Sequence, residues 1–180
     1  MTALTIWTRG DGLLSVLAPI GLAAAAGTCL LIDLDPNGPS FGGTGSLAEL
    51  VRSGPRRDDL RPHAGGPAVL ANGGVDPGEA EAVVRALIEG WPYVVLRSPS
   101  DAGLFAPVVP VYPLLPGALS PSPDRFCVFQ RTGFYAERGL EGIEIPRPGG
   151  GTVRSLLHGS VPARNRWVRA WRPVWEHSWS

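Results

Sequence analysis

Leu30-Leu31-Ile32-Asp33-Leu34-Asp35-Pro36 is an apolar run that stops at two carboxylates and a proline. Continuous apolar character, without alternation, is the pattern of a strand buried on both faces, and such strands belong to parallel sheets. The run extends back to Thr28, so the predicted strand covers Thr28 to Leu34. Before it, Leu13 to Ala26 is rich in Ala and Leu and ends at Gly27, the residue that most often stops a helix. Pro19 lies inside that helix and removes one backbone donor, which predicts a kink or a delayed start. Further upstream, Leu4 to Thr8 reads as a strand and Arg9-Gly10-Asp11-Gly12 as a turn. The N-terminal unit is therefore strand, turn, helix, strand.

A competing reading joins the helix and the strand. Residues 13 to 32 carry no charge over a length that can span a bilayer, and the small residues before Gly27 resemble a cleavage region. Pro19 and Gly21 interrupt the run, Gly27-Thr28 divides it, and no basic segment opens it. The helix-and-strand reading is preferred on those grounds, with a cytoplasmic chain as the corresponding expectation and peripheral attachment at a membrane as its alternative.

The pattern repeats downstream. Ser46-Leu47-Ala48-Glu49 has the spacing of a capping box and opens a second helix. Pro67 to Ala71 is a strand candidate. Asp76-Pro77 starts a helix with Ala80, Val83, Val84 and Leu87 on one face. Strands are predicted at Trp91 to Arg97, Ala106 to Tyr112, Phe126 to Gln130 and Gly142 to Ile145, with helical turns over Thr152 to His158. Strands alternating with helices give an α/β fold: a three-layer, mostly parallel sheet with helices on both faces.

Composition narrows the chemistry. The 180 residues suit one domain, and 44% hydrophobic against 18% charged residues excludes wholesale disorder. The 16 basic residues are all Arg and balance 16 acids, so the chain is no general polyanion binder and nucleic acid is not an expected partner. Without a single Lys, Schiff-base catalysis and lysine-dependent phosphate sites are excluded. Cys29 and Cys127 read as buried free thiols, and His63, His158 and His177 stand too far from other ligands to suggest zinc. No G-x-S-x-G elbow marks a nucleophile.

In order and motif, residues 3 to 160 resemble the MinD/ParA group of deviant-Walker P-loop ATPases. Arg9-Gly10-Asp11-Gly12-Leu13-Leu14-Ser15 stands where that family has K-G-G-x-G-K-T. Leu31-Ile32-Asp33-Leu34-Asp35-Pro36 matches its hydrophobic-D-x-D-P string. Trp91-Pro92-Tyr93-Val94-Val95-Leu96-Arg97-Ser98-Pro99 resembles its Y-D-Y-V-x-x-D-x-P strand. Val109-Pro110-Val111-Tyr112-Pro113, Phe126 to Arg131 and Ile143-Glu144-Ile145-Pro146 follow its later elements. The resemblance implies a nucleotide site at Arg9, Gly10, Gly12, Ser15, Asp33 and Asp35, in vestigial form.

The departures fall on that site. A P-loop wraps phosphates in glycine amides while a lysine reaches the terminal phosphates. Leu14 replaces the lysine, Leu13 and Asp11 replace glycines, and Arg97 replaces the acidic residue that helps hold magnesium. Phosphoryl transfer depends almost wholly on positioned charge, so no catalytic residue and no ATP hydrolysis are expected. The expected cofactor is none, the alternative being weak binding of ATP with magnesium by an altered loop that acts as a switch. For Arg97 the simpler reading is an internal ion pair with Asp33 or Asp35 across adjacent strand ends.

From Ile145 onward the composition changes. Residues 145 to 180 hold six Arg against one acid, and four of the six Trp, at 167, 171, 175 and 179. A step of four advances about 40° on a helix, so 161–180 reads as an amphipathic tail with an aromatic face. Pro173 divides it, with Arg172 biased toward extended geometry. Three destinations follow for the stripe: this domain's own sheet, a protein partner or second copy met by Trp167, Trp171, Trp175, Arg169 and Arg172, or a membrane surface. The function expected from the resemblance is that of a non-hydrolysing scaffold or adaptor recruited through this tail.

Overall fold

The computed structural model describes residues 2–9, 12–42, 45–54, 60, 66–114, 125–132, 141–157, 160 and 165–179. Among them, seven strands form one all-parallel sheet: β1 (Thr2–Thr8), β2 (Leu30–Asp33), β3 (Ala68–Leu70), β4 (Tyr93–Ser98), β5 (Val108–Leu114), β6 (Cys127–Arg131) and β7 (Gly142–Ile145), in the spatial order β3-β2-β4-β1-β5-β6-β7. The helices are α1 (Gly12–Ala26), α2 (Leu47–Ser53), α3 (Glu81–Gly90), α4 (Gly150–Leu157), α5 (Arg166–Arg169) and α6 (Arg172–Glu176). This is the expected three-layer α/β arrangement, of the kind that P-loop NTPases have.

The two faces follow from side-chain alternation. Leu4 and Ile6 of β1, Leu31 of β2, Val95 of β4 and Val109 of β5 pack with α1, α4, α5 and α6. Leu30, Ile32, Val94 and Leu96 point the other way, against Leu47 and Leu50 of α2 and Val84 and Leu87 of α3. Every residue of β2 is buried, as its continuous apolar run requires. The uncharged stretch 13–32 is thus α1 and β2, and no described helix is long and apolar enough to cross a membrane.

Local chemistry sets the boundaries. Gly27 leaves α1 at φ 82°, a conformation that a Cβ disfavours. The capping box at Ser46 forms: its hydroxyl accepts from Glu49 N–H, and the Glu49 carboxylate accepts from Ser46 N–H. The segment after Asp76 begins as a turn, with Gly78 N–H on the Asp76 carboxylate, and the regular helix starts only at Glu81. α1 runs through Pro19 without ending.

Two prolines in the internal strand β5 need an account, because proline cannot donate to a ladder. Thr5 N–H donates to Pro107 C=O, so odd-numbered backbone groups of this segment face β1 and even-numbered ones face β6. β1 pairs with Val108 to Val111 and β6 with Val111 to Leu114. Pro110 therefore faces β6 before that pairing begins, and Pro113 faces β1 after its pairing has ended. Each missing donor falls where no strand asks for it.

The tail is two short helices joined at Ala170 and Trp171, whose N–H groups make tight three-residue bonds to Trp167 and Val168 carbonyls. Pro173 falls in the first turn of α6, where a missing donor costs little. Arg172, expected to be extended, is instead helical, because Trp171 and Val174 on either side are both buried and hold the turn.

Candidate functional site

The carboxyl ends of β2 and β4 place Asp33 directly opposite Arg97 in the parallel register. Both side chains are buried. Arg97 Nε donates to Asp33 Oδ1 at 2.8 Å and Nη2 to Oδ2 at 2.9 Å, a two-toothed pair. The third arm, Nη1, donates to Pro39 C=O at 2.6 Å, and the guanidinium carbon lies 4.7 Å from the centre of the Phe41 ring. The ion pair expected from the sequence therefore forms with Asp33.

Asp35 stands further off, with its Oδ2 3.8 Å from Arg97 Nη2. Its Oδ1 accepts from the backbone N–H groups of Asn37 and Gly38, at 3.0 and 2.9 Å, which is the turn chemistry of Asp-Pro-Asn-Gly. Asp35 N–H in turn donates to Asp33 Oδ1 at 2.9 Å. A Cβ on Gly38 would lie 2.2 Å from Asp35 Oδ2 and 2.8 Å from Arg97 Nη2, so only glycine lets the loop close over the pair. Burial pushes the Asp33 carboxyl above its ordinary range, while the Asp35 N–H and the Arg97 guanidinium pull it back.

A further support went unread in the sequence. Asn72, buried after β3, donates to Asp33 C=O and Val75 C=O and accepts from Gly74 and Val75 N–H groups. The Asn72-Gly73-Gly74 string carried that turn signal, but its contact with Asp33 spans 39 residues and leaves no local trace.

The other expected site residues that are described belong to the end of β1 and the first turn of α1. Arg9 is exposed just past β1, and Gly10 lies outside the described residues, as does Asp11. Gly12 begins α1 in open space, where a Cβ would meet nothing within 4 Å. Ser15 turns its hydroxyl back on its own helix, donating to Gly12 C=O at 2.8 Å. Leu14, in the lysine position, is buried in the core.

These residues do not fit a magnesium ion. Both Asp33 oxygens are engaged by a fixed cation, and one Asp35 oxygen is engaged by backbone amides. No group of three His, Cys, Asp or Glu side chains suited to a metal occurs among the described residues. Nor is there a lysine to neutralise a phosphate.

The expected partner-binding tryptophans lie largely inside the chain. Trp167 and Trp171 are buried in the same core as α1, edge to face with ring centres 5.8 Å apart. Both rest on Gly21: a Cβ there would stand 2.5 Å from Trp171 Nε1 and 2.6 Å from the Trp167 ring. Trp167 Nε1 donates to Gln130 Oε1 at 3.0 Å, and the half-buried Trp175 donates to Leu22 C=O at 3.0 Å. Of the five expected contact residues, only Arg169 and Arg172 are exposed.

No protein-family model matches this chain, and neither does any curated protein. The class of molecule is thus defined by the sheet and by the site itself: an all-parallel α/β domain in which the ends of two adjacent strands, β2 and β4, are joined by a buried arginine–aspartate pair.

Proposed function

We propose that this chain is a non-hydrolysing relative of the MinD/ParA ATPases, a scaffold or adaptor that helps to position or recruit a cytoplasmic or membrane-associated machine. The observation that supports it is the Arg97–Asp33 pair. Catalysis of phosphoryl transfer needs cations aimed at the phosphates and carboxylates free to hold the metal. Here the cation is fixed to the carboxylate in a buried lock, and the loop from Asp35 to Phe41 closes over it. Such a site organises strand ends instead of exchanging ligands.

A scaffold needs a docking face, and the partner that meets it is another protein or a second copy of the chain. With Trp167 and Trp171 committed to the core, the outward side of the tail offers Arg169 and Arg172. Reversing both charges is expected to break the complex without altering the fold.

Calorimetric titration with ATP, with and without magnesium, tests the reading. The expected result is no heat at high micromolar protein. Saturable, magnesium-dependent heat that Ser15→Ala reduces would replace the scaffold with a nucleotide-controlled switch.

A further inference from the structure

Three strands away from the ion pair, a cleft of about 390 Å³ opens at the carboxyl ends of β6 and β7. Leu14 and Leu17 of α1 and Val153 of α4 supply apolar wall, and Leu13, 58% exposed, stands at the rim. Gln130, Arg131, Thr132 and Arg147 supply the polar groups.

Most of those polar groups are already engaged. The Gln130 amide donates to the carbonyls of Arg131, Ile145 and Pro146 and accepts from Trp167. The Thr132 hydroxyl donates to Leu114 C=O. Arg131 is paired through Nε with Glu144 of β7. Arg147 differs: it is exposed and has no acidic partner among the described residues. A neutral polar ligand finds its complements occupied. An anion finds an arginine fork, and an apolar body finds leucine and valine.

We propose that this cleft binds a small amphipathic anion, an apolar body carrying one carboxylate, sulfonate or phosphate head. The head pairs with Arg147 at the mouth, and the body lies along Leu13, Leu17 and Val153. The volume falls within the range of small-molecule sites, roughly 300–1,000 Å³. The inference is separate from the scaffold reading: ATP heat that Arg147→Gln reduces and Ser15→Ala leaves unchanged would belong to this cleft, and heat that only Ser15→Ala reduces to a nucleotide switch.

The test uses the full chain and two fluorescent probes of related shape: 8-anilinonaphthalene-1-sulfonate, which is anionic, and N-phenyl-1-naphthylamine, which is not. The anionic probe is expected to bind saturably at one site and to be displaced by decanoate. Arg147→Gln, an exposed change that leaves the fold intact by near-ultraviolet circular dichroism, should weaken it about tenfold while sparing the neutral probe. Leu13→Gln should weaken both probes severalfold. Absence of saturable binding, or anionic-probe affinity indifferent to Arg147→Gln, would overturn the proposal.

Discussion

Arg97 and Asp33 face each other across β4 and β2 and share two hydrogen bonds, at 2.8 and 2.9 Å, with both side chains out of water. A buried pair of this kind gains less from attraction than its geometry suggests, because both ions were better solvated before folding. Its clearest property is asymmetry. Removing one member strands the other in the interior.

That asymmetry gives the first prediction. Arg97→Met or Asp33→Leu alone should each cost about 3–5 kcal/mol, read as a shift in urea midpoint. The double variant should recover most of the loss, since neither charge is then left alone. Arg97→Lys should restore only part of the stability, because an ammonium cannot span both oxygens and still reach Pro39 C=O. Additive single losses in the double variant would show that the two side chains act separately.

The second prediction concerns Gly21. Glycine inside a helix ordinarily costs stability relative to alanine. Here Gly21→Ala should instead destabilise by about 1–3 kcal/mol, because the new methyl would sit within 2.6 Å of both Trp167 and Trp171. Trp171→Ala should cost about 3–5 kcal/mol by leaving a cavity. In the Trp171→Ala background the Gly21→Ala change should become milder, since one of the two obstructing rings is gone. Chemical denaturation of the four proteins measures the coupling, and strict additivity would place the rings elsewhere.

Much of this architecture was legible before the structure. Apolar runs bounded by Gly, Pro and Asp mark strands by local pattern alone, and the capping box at Ser46 and the stop at Gly27 set helix ends by chemistry within four residues. The sheet order was not legible, because parallel pairing joins segments far apart and leaves no local mark. The Arg97–Asp33 pair was half legible: opposite charges stood at two predicted strand ends, but the choice of Asp33 over Asp35 depended on the register. The tryptophan stripe disclosed a face without disclosing its cover. The missing clue was Gly21, which reads as an interruption in sequence and proves to be the seat for two indoles.

Cys29 supplies a pH prediction. Burial pushes its thiol up to about 12. The unfolded chain loses that proton near pH 9, so between pH 9 and 12 the native state binds more protons than the unfolded one. Stability is then full below about pH 8 and falls as pH rises, by up to about 1.4 kcal/mol per pH unit for this thiol. Urea midpoints at pH 8 and pH 10.5 should differ less in Cys29→Ala than in the parent. An unchanged slope in the variant would remove Cys29 from the account. Consistent with the same burial, iodoacetamide should leave the native thiol unmodified at pH 8 and label it only in denaturant.

The last prediction ties the tail to the carboxyl ends of the sheet. Gln130 is buried at the end of β6, and its Nε2 bonds the carbonyls of Ile145 and Pro146 at the end of β7. Its Oε1 is held by the Trp167 indole at 3.0 Å, so α5 fixes which way the amide faces. Trp167→Phe keeps an aromatic ring but removes that donor, leaving a buried carbonyl oxygen without its partner. The expected cost is about 1–3 kcal/mol from the unsatisfied group, beyond what the smaller ring loses in packing. Gln130→Leu in the Trp167→Phe background should add to the loss, because the carbonyls of Ile145 and Pro146 then lose their donor as well. Backbone amide exchange should quicken at Ile143 to Ile145 of β7 in the single variant, where the β7 end loses its anchor, and stay unchanged in β3. Equal quickening at both ends of the sheet would mean that Trp167 stabilises the domain as a whole and has no particular hold on β6 and β7.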